Sequence, residues 1–138
     1  MRKRTQARIY ALQLLYQAEI VNSPVEEIIN NFWQNLVEKK VDEKIKEFAE
    51  FLLRGTLDKL SQIDTLISQY SYNWTLERMA LVDKNILRLA NFELIFCPQT
   101  PPKVAINEAV ELAKMFSGQE SAKFVNGILD KIKQQMNK

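Results

Sequence analysis

The chain has 138 residues, 46% of them hydrophobic, and a formal net charge of +2, enough for one domain with a real core and too little for two typical ones. A single cysteine, Cys97, and no histidine exclude an internal disulfide and most transition-metal sites. No apolar run approaches the roughly 20 residues that span a bilayer.

The chain opens basic. Arg2, Lys3, Arg4 and Arg8 precede the first acid, Glu19, whereas the remaining 15 cations face 17 acids. A basic end on a near-neutral body suits a polyanionic partner, although the same charges would serve an exposed solubilising tail. Ala7, Ala11, Leu14, Leu15 and Ala18 recur at helical spacing and predict a first helix over 5–21. Cations near a helix start oppose its partial positive charge, by about 0.3–1 kcal/mol each, so compensation from outside the fold is expected.

Ser23, Pro24 and Glu26 read as a helix opening, with serine as cap, proline in the first turn and glutamate three residues on. Ile28, Ile29, Phe32, Leu36 and Val37 form the apolar face of this second helix, with Trp33 at its core edge. Asp42 caps a long third helix whose stripe runs from Ile45 to Tyr70, with a bend or break near Ser61 to Asp64. Gly55 inside that run costs about 1 kcal/mol relative to alanine, which implies close packing of another helix there.

Tyr72, Asn73 and Trp74 form a connector, and Thr75 opens a short helical turn. Asp83 then caps a helix that runs to Phe96 with Ile86, Leu87, Ala90, Leu94 and Ile95 inward, and Pro98 ends it. From Lys103 to Lys131 two helices join at Ser117 and Gly118. Ile106, Ala109, Val110, Ala113 and Phe116 form the first stripe; Ser121 caps the second helix, with Val125, Ile128, Leu129 and Ile132 on its core side. Lys123 and Asn126 point away from that core and Phe124 falls at its edge. Gly127 suggests a close helix neighbour. Six or seven helices with short connections make an all-α bundle.

The run KVAINEAVELAKMFSGQESAKFVNGILDK resembles the C-terminal signature of the NusB family, all-helical bacterial factors that bind RNA in transcription antitermination. The string WTLERMALVDKNILRLANFEL is similar to a second stretch of that family, and the spacing of Arg4, Ala7, Arg8, Ala11, Leu15 and Tyr16 to its N-terminal pattern. Thr5 and Gln6 stand where many members carry further arginines. The resemblance implies two packed helical sub-bundles, helices 1 to 3 and those after Thr75, within a single NusB-like domain over 1–138.

The residues offer no Gly-rich phosphate loop, no Cys or His cluster and no histidine to serve as general base. Cys97 lacks a partner that would activate it and reads as a buried structural thiol. A non-catalytic chain without cofactor is expected, in a reducing, cytoplasmic compartment and without a membrane segment. Single-stranded RNA needs cations for phosphates, planar groups for unpaired bases and amides for base edges. Arg2, Lys3, Arg4 and Arg8 could supply the first, Tyr70 and Phe124 the second, and Gln119, Lys123 and Asn126 the polar contacts.

The resemblance implies a specific assembly: pairing with NusE, a small-subunit ribosomal protein, binding of the boxA element of nascent RNA, and service to RNA polymerase during ribosomal RNA transcription. Carried over by motif, Arg4, Arg8, Tyr70, Gln119, Glu120, Lys123 and Phe124 would face RNA, and Tyr16, Asp83, Lys84 and Arg88 would face NusE. Glu120 would repel phosphate, so it either limits affinity or meets a base amino group. Monomer and homodimer both stay open. Two other readings compete: an interaction module that needs no RNA, and the helical domain that precedes the catalytic part of some RNA cytosine methyltransferases. For the latter, 138 residues leave no room for a methyl-donor site.

Overall fold

The computed structural model describes residues 1–72 and 74–136; Asn73 of the connector lies outside the described residues. Among these there are seven α-helices and no strand. The chain forms two compact units, Met1–Arg54 and Gly55–Lys138.

The first unit holds α1 (Lys3–Ile20), α2 (Val25–Asn31) and α3 (Glu43–Asp58) as far as Arg54. Helix α1 starts two residues earlier than its apolar spacing suggests, so Lys3 and Arg4 are helical and Arg2 is the cap position. Helix α2 opens at Val25 with Pro24 as its cap; Ser23 makes no cap hydrogen bond. Glu26 in its first turn instead receives both arms of the Arg54 guanidinium, at 2.6 and 3.1 Å. A π-turn over Phe32–Leu36 extends α2 and closes with Val37 N–H on the Phe32 carbonyl at 3.0 Å. The wider turn swings Leu36 outward, 49% exposed rather than on the apolar face. Phe32 and Trp33 turn inward, where both rings meet Tyr10 edge-on. The Trp33 indole N–H donates to Glu50 at 3.0 Å, the partner that a buried indole edge requires. Asp42 caps α3 as expected, accepting the Lys44 N–H at 2.8 Å.

In the second unit, α4 (Leu60–Tyr70), α5 (Leu81–Phe96), α6 (Pro102–Phe116) and α7 (Gln119–Met136) follow the end of α3. The break between α3 and α4 falls at Lys59 rather than between Ser61 and Asp64. Helix α4 packs on α5 and α7, and α5 and α6 both pack on α7. This removes α4 from the first group, to which the resemblance had assigned it. Ile63, Ile67, Ile86, Leu87, Val125, Leu129 and Ile132 are fully enclosed. Helix α5 is central and buries polar residues as well: the Asn91 amide donates to the Leu87 carbonyl at 2.8 Å, and Thr100 donates to Glu93 at 3.2 Å.

Two glycines behave differently from one another. A Cβ at Gly55 would collide with the Phe92 ring, itself buried, so the close approach anticipated there is real. Gly127 faces open space, and no neighbour approaches it. Phe116, counted with the α6 stripe, is exposed at the helix end.

Gly55→Ala should therefore destabilise the protein by about 1–3 kcal/mol through overpacking, despite alanine's better helix propensity. Urea unfolding of G55A beside G55A/F92L checks this: shrinking residue 92 should return part of the loss.

Candidate nucleic-acid interface

In the first unit the basic end is tied to α3. Lys3 Nζ lies 3.1 Å from Asp42 Oδ2, and the Arg4 guanidinium sits 4.1 Å from the centre of the Phe48 ring. Arg8 approaches the same ring at 5.6 Å. The compensation expected from outside the fold is thus supplied from within it, by one carboxylate and one aromatic face. Arg8 is only 5% exposed, which removes it from the set of cations open to phosphate. Arg2, Lys3 and Arg4 remain exposed.

In the second unit the site is organised by the start of α7. Gly118 adopts φ +136° and its carbonyl accepts the Ala122 N–H at 3.1 Å, so α7 begins at Gln119, two residues before the expected serine cap. Ser121 lies inside the first turn, its hydroxyl 2.6 Å from that of Ser117. Gln119, Lys123 and Asn126 are exposed along one face at four- and three-residue spacing. Phe124 is half-buried and meets the Trp74 indole edge-on, centroids 6.3 Å apart and planes at 73°. The Arg78 guanidinium lies 5.3 Å from the Trp74 ring. Tyr70 is half-buried at the end of α4, whose helix packs on α7.

Trp74 is the functional candidate that sequence reasoning passed over as part of a connector. It is 47% exposed, and its spacing of four from Arg78 in WTLER was the available signal. Together with Arg78, Asp83, Glu120, Ser121 and Phe124 it lines an open cleft of about 530 Å³. Helix α5 begins at Leu81 with Ala80 as cap, so Asp83 is not the cap residue but lies in the first turn on the cleft side.

The residues expected to face a protein partner are placed less uniformly. Tyr16 is 43% exposed on α1. Arg88 is engaged inside its own unit: Nε and Nη2 each donate to the Asp64 carboxylate at 2.9 Å, and Nη1 to Asn85 at 3.2 Å. That fork bridges α4 and α5 and leaves the guanidinium largely covered. Lys84, one turn before it, is half-buried.

A family model described as the NusB family matches residues 5–134. The chain belongs to the NusB family. It is 43% identical over 139 residues to the transcription antitermination protein NusB of Myxococcus xanthus, an alignment covering 100% of this chain and 99% of that one. Among solved structures it is similar to Thermotoga maritima NusB (TM-score 0.84, 40% identity, 96% of this chain and 91% of that one). A complex of the antitermination factors NusB and NusE with double-stranded RNA also matches (TM-score 0.82, 27% identity, 98% of each chain). NusB proteins are transcription antitermination factors and not enzymes, and this member shares their all-helical fold.

Two exposed carboxylates tie α3 into the first unit of this NusB-family chain. The Arg54 fork holds Glu26 below the usual carboxylate range. The Lys44 N–H, seconded by Lys3, does the same for Asp42. A carboxyl lowered in the folded state contributes stability above its unfolded value and loses it as pH falls through the folded one. The urea midpoint should therefore drop as pH falls through and below the ordinary carboxylate range, and E26Q and D42N should each flatten that drop while lowering the midpoint at pH 7.

Proposed function

We propose that this chain binds single-stranded boxA-type RNA together with NusE, and so serves the RNA polymerase antitermination complex on ribosomal RNA genes in the cytoplasm. The observation that carries the reading is the start of α7. An exposed row of amide, ammonium and amide, Gln119, Lys123 and Asn126, runs beside the Phe124–Trp74 aromatic pair. These are the parts that hold an unpaired strand: a cation for phosphate, a ring for a base and amides for its edge. The relatives' name supports antitermination, and the complex of NusB and NusE with double-stranded RNA supports NusE and RNA as partners.

In this proposal Arg2, Lys3 and Arg4 draw the polyanion by long-range attraction, and Tyr70 and Phe124 offer base platforms. Glu120 beside the cleft meets a base amino group rather than a phosphate. Arg8 acts by holding the start of α1 on Phe48. The ribosomal protein is met by Tyr16 in the first unit and, in the second, by Lys84 and Asp83 at the start of α5, where the Arg88 fork on Asp64 holds α5 to α4. The partner raises affinity by adding surface to the same strand. No helix among the described residues is long and apolar enough to cross a membrane.

Anisotropy of labelled boxA RNA and a shuffled control, each with and without NusE at two salt concentrations, tests the proposal. The expected result is tighter, NusE-dependent binding of boxA. Lys123→Gln should lower the salt slope by roughly 0.7, one single-strand phosphate contact, and Phe124→Ala should cost about 1–3 kcal/mol. Equal weak binding of both RNAs, indifferent to NusE, would leave an interaction module that needs no RNA.

A further inference from the structure

Gly127 stands in the middle of α7 with none of the usual reasons for a glycine. Its backbone is helical, so no left-handed turn requires it, and an added Cβ would meet nothing within 4 Å. Gly55, the other helical glycine, makes room for the Phe92 ring; Gly127 makes room for no part of its own fold. A glycine inside a helix weakens it relative to alanine. The bare position therefore points to something that approaches α7 from outside.

Its surroundings narrow what that is. Gly127 is exposed one helical turn beyond both Lys123 and Phe124 and one turn before Lys131. On one side Phe124 meets the Trp74 indole edge-on. On the other, Lys131 Nζ lies 4.4 Å from the centre of the Tyr72 ring. Both rings come from the turn after α4, where the Trp74 N–H donates to the Ser71 carbonyl at 3.1 Å and the Ser71 hydroxyl to the Trp74 carbonyl at 2.9 Å. Tyr72 is 70% exposed and Trp74 47%. Their contacts on α7, Phe124 and Lys131, are about 10 Å apart along the helix axis, and Gly127 falls between them. Helix α7 thus carries a bare stretch with an open aromatic ring held at either end.

The chemistry of this stretch suits a nucleic-acid strand. Each ring has its own cation, Arg78 at 5.3 Å from Trp74 and Lys131 over Tyr72, so each end offers a plane for a base and a charge for the adjoining phosphate. Besides Gly127, the exposed residues from Lys123 to Gln134 are Asn126, Asp130 and Lys131, none of them an aliphatic side chain that a protein would bury. Asp130 accepts from the Gln134 amide at 3.2 Å.

We infer that the RNA strand met at Lys123 and Phe124 continues along α7 over Gly127. Its sugar–phosphate backbone lies against the bare helix, with one base on Trp74 and another on Tyr72. The inference rests on the RNA reading above and adds a second stretch to that site, in which the connector is a base platform and Gly127 the point of closest approach.

The test is anisotropy of labelled boxA RNA with the full chain and NusE, beside urea unfolding of the same variants. Gly127→Ala should raise the urea midpoint yet weaken RNA binding, and Gly127→Leu should weaken binding further. Tyr72→Ala should weaken it by at least about fivefold, with helical content by circular dichroism unchanged. A gain in stability joined to a loss of binding is an outcome that damage to the fold does not produce. Wild-type affinity in the Gly127 and Tyr72 variants, while Phe124→Ala still weakens binding, would overturn the inference and leave the RNA reading standing. No RNA binding by the wild-type chain would overturn both. Loss of NusE binding by G127L in the absence of RNA, read by calorimetry, would assign the stretch to the protein partner and overturn the inference.

Discussion

Between Phe116 and Gln119 the chain has to end one helix and begin another within two residues. It does so through Gly118, at a φ of +136° that an L side chain rarely adopts. The Ser117 and Gly118 N–H groups both return to the Ala113 carbonyl, at 2.9 and 2.8 Å, and Gly118's own carbonyl starts α7. Because the reversal is so short, α7 folds back along α6 and both pack on α5. The same turn fixes the phase of α7. Starting at Gln119 sends Ala122, Val125 and Leu129 into the core, Glu120, Ser121 and Phe124 toward the cleft, and Lys123 and Asn126 out to solvent.

The first unit solves a different problem, the concentration of positive charge at the start of α1. Aromatic packing and charge are handled there by one helix. Phe48 receives Arg4 and Arg8, Asp42 receives Lys3, and further along α3 Glu50 takes the Trp33 indole while Arg54 takes Glu26. Most of these pairs are exposed, and each alone contributes little. They serve to hold Lys3 and Arg4 in a defined array on a helix, which presents them to solvent at fixed spacing, unlike a free tail, while Arg8 is buried.

Much of this was legible from residue order. The α3 cap at Asp42, the end of α5 before Pro98, the close approach at Gly55 and the outward set on α7 all follow from local rules that the fold does not override. Where the reading departed from the structure, the cause is tertiary. Ser23, Asp83 and Ser121 are all good cap residues by type, but each helix starts where the packing of its apolar face requires. The π-turn that expels Leu36 has no sequence signature of its own. Asn85, Asn91 and Glu93 look solvated, and only the central position of α5 buries them. Trp74 was hidden because a lone aromatic in a connector carries no periodicity; its role comes from Phe124, fifty residues later, at its edge.

The tryptophans divide between the units, Trp33 in one and Trp74 in the other. Trp33 is enclosed by Tyr10 and Phe32 and anchored on Glu50, whereas Trp74 stands half open to water. Their emission should differ accordingly, blue-shifted for the first and red-shifted for the second. The molecule thus carries one native optical reporter in each half, and single replacements by phenylalanine would let the melting of either half be followed without any added label.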